Sequence, residues 1–273
     1  LTVGPSIDYV VVSTFNRYTH LPIRVLLAKD LVPKVFAKVF QQVEATDDLL
    51  SYDKKGKNIP YLITGKVKGA ALVGIRYKQL WSDAPLPHNT PENAFRVIAG
   101  DFVTTDDGTG IVHTAPTFGA DDAVVAKQAT PEVPPLLVLD EHEQLVPLVD
   151  LQGRFRKELG SLGGKYVKNE YYYDGQAPDK SVDVEIAIRL KEENKAFTVE
   201  KYVHSYPNCW RTDKPVLYYP LDSWFVKVSD NKKLLVTLNN NINWKPKSTG
   251  ERRFANWLAN ANDWNLSRSR FWG

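Results

Sequence analysis

The residues best placed to do chemistry lie between Gly100 and Asp122, in the run G-D-F-V-T-T-D-D-G-T-G-I-V-H-T-A-P-T-F-G-A-D-D. One imidazole (His113) and a terminal acid pair (Asp121, Asp122) flank a stretch of small or stiff residues, Ala115, Pro116 and Gly119. Small residues let a ligand approach the backbone. A carboxylate at a helix start faces unpaired N–H groups and should stay ionised. On local pattern alone, the same residues also fit a helix cap and a structural histidine. A third possibility is a β-rich hydrolase using Asp106, Asp107 and Asp122 as an acid/base set.

Several elements must position these side chains. Asp106-Asp107-Gly108-Thr109-Gly110 is turn chemistry, since Asp bonds its own backbone and Gly supplies positive φ. Gly110-Ile111-Val112 predicts a strand that delivers His113 at its end. Asp121 and Asp122 precede Ala123-Val124-Val125-Ala126, a helix start whose unpaired N–H groups suit a negative charge. Thr104 and Thr105 are read as structural hydroxyls.

Further along, Tyr9–Val12 and Ile23–Leu27 read as strands joined through Asn16-Arg17-Tyr18. Asp30 is expected to cap a helix bearing the stripe Leu31, Val32, Val35, Phe36, Val39, Phe40 and Val43, with Pro33 in its first turn. Tyr61–Thr64 and Ala71–Ile75 are strand candidates. Leu136–Leu139 and Leu145–Leu148 flank Asp140–Gln144 as a hairpin would. Asp150 is expected to cap a short helix with Phe155, Leu159 and Leu162. Between Ser181 and Asn194 the pattern fits strand or helix, and Lys191-Glu192-Glu193 favours helix.

Six of the seven Trp residues lie beyond residue 200, which suggests a separate aromatic-rich packing unit beginning near Lys201. The chain has 273 residues, 35 basic against 32 acidic, and a net charge of +3, a balance that does not by itself call for nucleic acid. The basic groups at Lys54-Lys55-Lys57, at Lys245, Lys247, Arg252 and Arg253, and at Arg268 and Arg270 read as solvated faces. Cys209 is the single cysteine, so a reducing, cytoplasmic setting is expected. No apolar run is long enough to span a membrane, and no signal peptide is visible. The absence of an initiating Met fits an interior piece of a longer protein.

The run 100–122 resembles the active-site strand and loop of the editing domain of isoleucyl-tRNA synthetases, members of the class I aminoacyl-tRNA synthetases. Valyl and leucyl editing domains share the G-T-G turn and distal Asp but usually carry A-H-D where Thr117-Phe118-Gly119 stands here. Gly69–Tyr77 (G-A-A-L-V-G-I-R-Y) resembles a G-x-x-L-x-G-x-x-Y motif of the same domains. Tyr206–Thr212 (Y-P-N-C-W-R-T), with Pro215–Tyr219 and Ser223–Phe225, is similar to the segment that returns to the catalytic core. Asp263–Gly273 (D-W-N-L-S-R-S-R-F-W-G) resembles the motif that re-enters the nucleotide-binding fold.

The resemblance implies a twisted, largely antiparallel β-barrel with peripheral helices over residues 1–200. Residues 201–273 would form a smaller α/β stem leading to a catalytic core that these residues do not include. It implies hydrolysis of valine wrongly esterified to the 3′ end of tRNA(Ile), with isoleucine sterically excluded. Asp122 would hold the substrate ammonium. His113, with Thr114, Ala115, Pro116, Thr117 and Phe118, would line the amino-acid pocket, and His113 and Asp122 would face one cleft. Positioning alone would let a water attack the ester, with no metal and no other cofactor. Relatives with C-W-R-C have half a zinc site, but here Thr212 replaces the second Cys, so Cys209 is expected to be a buried small hydrophobe and no zinc is expected. H-I-G-H and K-M-S-K-S type motifs for ATP are missing, so aminoacylation by these residues alone is not expected. The family's threonine-rich half-site, like T-T-T-P-W-T, lies just upstream of the first strand and outside this sequence. A non-catalytic tRNA-binding or interaction piece with an incomplete pocket is therefore the alternative.

Overall fold

The computed structural model describes residues 1–268; the last part of the Asp263–Gly273 motif, from Ser269 onward, lies outside the described residues. The chain divides into two compact units, Leu1–Tyr219 and Pro220–Gly273. The strands, in chain order, are β1 (Thr2–Val3), β2 (Asp8–Phe15), β3 (Pro22–Ala28), β4 (Phe40–Gln42), β5 (Ile59–Lys68), β6 (Ile98–Ala99), β7 (Ile111–Val112), β8 (Val138–Leu139), β9 (Leu145–Val146), β10 (Phe225–Val226) and β11 (Trp264–Asn265). The α-helices are α1 (Val32–Val35), α2 (Thr46–Leu50), α3 (Gly69–Leu72), α4 (Ala120–Gln128), α5 (Val182–Glu192), α6 (Lys232–Asn240) and α7 (Ala255–Ala259).

The first unit is built on a four-stranded sheet in the order β3-β2-β5-β4. The β-branched run Val10-Val11-Val12 makes β2 the central strand, paired antiparallel to β3 from Tyr9↔Ala28 to Phe15↔Pro22 and antiparallel to β5. The β2–β5 register shifts between Val11 and Val12, a bulge of the kind that bends a strand. Val10, Val12 and Thr14 are buried at alternate positions, the period of a half-buried strand. The buried Thr14 hydroxyl donates to Pro60 O at 2.7 Å. Against this face pack Leu27, Leu31, Phe36, Phe40, Tyr61 and Leu72. A second, three-stranded sheet has the order β6-β1-β7, with β1 parallel to β6 and antiparallel to β7. This is the sheet that carries the candidate site.

The mixed α/β character and the predominance of antiparallel pairing agree with the sequence reading, but among the described residues the strands form four separate small sheets and no closed barrel. The helix expected from Asp30 to Val43 is also not formed. A 3-10 turn over Lys29–Leu31 leads into the four-residue α1, and Asp30 is not its cap. The helix ends at Val35 with Phe36 as its cap; Lys38 then adopts a left-handed φ of 65° just ahead of β4, which runs parallel to β5. The stripe marked core residues correctly, since Leu31, Val32, Phe36 and Phe40 are all buried, but they reach the core from three different elements. Ala71–Ile75 is not a strand: Gly69–Leu72 is one helical turn. Asp150 caps no helix; its Oδ1 accepts from Gln152 N and Arg154 N in a turn, and a 3-10 helix begins only at Lys157.

The β8–β9 hairpin forms as expected, pairing Val138 with Val146. Residues 182–192 are helical, and Val182 and Ile186 pack with Leu159, Leu162 and Trp81 in a smaller core. In the second unit, Trp244 Nε1 donates to the buried Asn239 Oδ1 at 3.0 Å, and Trp244 packs on Phe254. Trp224, Trp257 and Trp264 are exposed. Cys209, in the first unit, is half-buried rather than buried. It sits at the neck of a small hairpin in which its N–H donates to Lys214 O.

Candidate functional site

Two glycines in positive φ, Gly108 (71°) and Gly110 (72°), form the turn before β7. A Cβ at Gly110 would stand 2.5 Å from Ala28 Cβ, so only glycine allows this turn to lie against the end of β3. Ala28 N–H donates to Thr109 O at 2.9 Å. The buried Tyr9 hydroxyl donates to Gly110 O at 2.6 Å and accepts from Gly4 N–H at 3.0 Å. The turn is thereby fixed to β3, to β2 and to the segment after β1. Burial raises the Tyr9 phenol above its ordinary value of 10.0.

From this anchored turn, β7 runs antiparallel to β1 and delivers His113, which is exposed, one residue beyond its end. The Thr114 hydroxyl lies 2.5 Å from that of the fully buried Thr2, which fixes the backbone next to the imidazole. Ala115 N–H then donates to Asp122 Oδ2 at 2.9 Å. Asp122 is the third residue of α4, whose cap position is Gly119. The acid therefore does not cap the helix with its side chain, as one of the sequence readings had it. It reaches back to the strand end instead, and Oδ1 has no hydrogen-bond partner among the described residues. Gly119 makes room for it: a Cβ there would lie 2.5 Å from Asp122 Oδ2.

The remaining candidate residues form a wall with partners of their own. Pro116 and Thr117 are buried. Thr117 Oγ1 accepts from Leu136 N–H at 2.9 Å. The Phe118 ring meets Tyr219 edge-on, with centroids 6.1 Å apart. The structure thus brings Thr114, Ala115 and Asp122 into one bonded chain with Thr2, places His113 at its exposed end, and turns Thr117 and Phe118 toward structural neighbours. Asp106 and Asp107 are both exposed, and Asp107 is paired with Lys34 at 2.9 Å, whose ammonium holds its carboxyl below the usual range. Asp107 is thereby committed to an ion pair outside the bonded chain that holds Asp122.

Sequence reasoning missed Thr2 and Tyr9. Thr2 carried no signal, being one hydroxyl in a short apolar stretch. Tyr9 sits in a strand run where it reads as core, and its bond to a residue about a hundred positions away is visible only in three dimensions. Clefts of about 640 Å3, beside Trp244 and Trp257, and about 550 Å3, beside Phe102 and Val125, are lined by neither His113 nor Asp122. No three His, Cys, Asp or Glu side chains come together as metal ligands would among the described residues. No helix among them is long and apolar enough to cross a membrane.

Residues 31–273 match the model of the tRNA synthetases class I (I, L, M and V) family. The chain is similar over its whole length to the isoleucine–tRNA ligase of Cytophaga hutchinsonii, at 55% identity and covering 25% of that protein. It is likewise similar to that of Bacteroides fragilis, at 49% identity and covering 24% of it. With the isoleucine–tRNA ligase of Rickettsia africae it shares 42% identity over 76% of the chain and 16% of the relative. The chain therefore spans at most about a quarter of the length of these curated relatives.

Proposed function

The chain belongs to the class I tRNA synthetases, and on that premise we propose that it is the part of an isoleucyl-tRNA synthetase that hydrolyses valine wrongly esterified to tRNA(Ile). One binding step discriminates poorly between side chains that differ by a methylene, a limit for which isoleucyl-tRNA synthetase is the standard illustration. A second, hydrolytic pocket supplies the remainder. In this reading Asp122 holds the α-ammonium, and His113 with Thr114–Phe118 forms the wall that admits valine and excludes isoleucine. A water positioned beside the ester adds its oxygen to the carbonyl carbon. The bond to the ribose oxygen breaks as that oxygen takes up a proton given up by the water, releasing valine and the free 3′ hydroxyl.

The observation that carries this reading is the geometry of Asp122. One carboxylate oxygen is held by Ala115 N–H, two residues beyond the exposed His113 in sequence, and the other has no hydrogen-bond partner among the described residues. A carboxylate half-tethered to main chain is oriented before a cation arrives, so little ordering remains to be done on binding. The barrel expected for an editing domain would need the two larger sheets to act as one body; the Ala28–Thr109 and Tyr9–Gly110 bonds that join them support this. Residues 1–200 would carry the hydrolytic site, and 201–273 would return to the catalytic core, in a cytoplasmic enzyme.

The test is deacylation of valyl-tRNA(Ile) by the full-length synthetase carrying this chain, beside its Asp122→Ala variant. Loss of a charge-assisted contact predicts about a 10- to 150-fold fall in rate. Equal rates would leave Asp122 without this role. Undiminished tRNA binding with no deacylation by either protein would favour the second reading, a tRNA-binding part with an incomplete pocket. That second reading is supported by the clefts beside Trp244 and beside Phe102, whose linings include neither His113 nor Asp122.

A further inference from the structure

Between Val199 and Pro215 the chain carries aromatic side chains that the site above does not use. Tyr202, His204 and Tyr206 alternate along a stretch outside helices and strands, and rings two residues apart fall on one side, as extended backbone places them. Tyr202 and His204 stack with centroids 5.4 Å apart and planes at 26°, and Tyr206 meets His204 edge-on at 6.0 Å and 74°. The stacked face therefore belongs to Tyr202 and His204, and Tyr206 braces it from the side. The ladder is open to solvent: Tyr202 is 78% exposed and Tyr206 40%. It is also held in place, because the Tyr206 hydroxyl donates to Val216 O at 2.9 Å.

Cations sit on the same aromatic surfaces. Lys168 Nζ lies 5.6 Å from the Tyr206 ring centre. At the tip of the following hairpin, Arg211 lies 4.4 Å from the ring of Trp210, which is 84% exposed. Over residues 200–214, Lys201, Arg211 and Lys214 outnumber Glu200 and Asp213. An apolar protein partner would match bare hydrocarbon. Flat rings with polar edges, capped by cations and carrying a positive surplus, match π-faces strung on an anionic backbone.

We propose that the Tyr202–His204–Tyr206 ladder, with Lys168 at its end, is a stacking platform for an unpaired stretch of RNA. The choice of RNA rests on the function proposed above; the platform itself does not depend on hydrolysis. An incoming base stacks on the open face of Tyr202, the backbone phosphates run toward Lys168, and sequence matters little because every base offers a π-face.

The test uses the full-length protein and a fluorescein-labelled, unstructured 12-nucleotide oligoribonucleotide without an aminoacyl group, followed by anisotropy. Tyr202→Ala is expected to weaken binding about 5- to 100-fold, Tyr202→Leu by as much, and Tyr202→Trp to restore it. Lys168→Ala should flatten the salt dependence by roughly one phosphate contact. Binding unchanged in Tyr202→Ala, or kept in Tyr202→Leu, would overturn the proposal, the latter in favour of an apolar protein contact. Failure of the unmodified protein to bind the oligomer would overturn it too. Since the probe carries no ester, these outcomes read the ladder separately from the editing site.

Discussion

The hydroxyl of Tyr9 offers the sharpest test of how the site is held. Tyr9→Phe keeps the ring in the core and removes only an oxygen that donates to Gly110 O at 2.6 Å and accepts from Gly4 N–H at 3.0 Å. Each bond contributes about 1 kcal/mol net, and each buried backbone group left without a partner costs about 1–3 kcal/mol. Allowing for partial relaxation, the variant should lose about 2–4 kcal/mol. For a unit of this size that corresponds to roughly 4–16 °C in Tm. The 107–110 turn keeps a second anchor, Ala28 N–H to Thr109 O, so the fold should survive and valyl-tRNA hydrolysis should fall less than in Asp122→Ala. Urea denaturation of both proteins measures the difference, with the slope checked for constancy. A change below about 0.5 kcal/mol, within the range of an ordinary surface substitution, would refute the argument that this hydroxyl bridges two otherwise unpaired groups.

Three further outcomes follow from the same geometry. Gly119→Ala places a methyl 2.5 Å from Asp122 Oδ2 with φ at an ordinary −95°, so the carboxylate must swing away; deacylation should drop toward that of Asp122→Ala while Tm moves little, and an unaffected rate would show that the Ala115 tether is dispensable. Gly110→Ala meets both a left-handed φ of 72° and a contact 2.5 Å from Ala28 Cβ; strain of about 1–2 kcal/mol and overpacking of about 1–3 kcal/mol should add, and a melt within 2 °C of the parent, roughly one unit of the Tm scale, would contradict it. Because burial raises the Tyr9 phenol above 10.0, the unfolded chain gives up that proton first; stability should be flat in pH below about 10, fall as pH climbs toward the folded value, and fall less steeply in Tyr9→Phe.

What could be read from the sequence was local, and the reason is physical. The β8–β9 hairpin was legible because Asp140 supplies its own turn, its Oδ1 accepting from His142 N–H and Gln144 N–H. The Asp107–Gly110 turn was legible because two glycines at positive φ leave few alternatives. The stripe from Leu31 to Val43 misled because helix spacing and core membership are separate facts: a 3-10 turn, a four-residue helix and a strand bring the same apolar side chains into the core by another route. The local role of Asp122 was read from the helix start it occupies, whereas its geometry is set by Ala115, seven residues back, and by the missing Cβ of Gly119. Thr2 and Tyr9 act on the site across separations of 112 and 101 residues, and no periodicity carries that information. A site whose reactive groups are short-range and whose supports are long-range will show its chemistry in sequence and hide its rigidity. That is why substitutions at Tyr9, Gly110 and Gly119, rather than at His113, discriminate best between a pre-formed pocket and a mere run of suggestive residues.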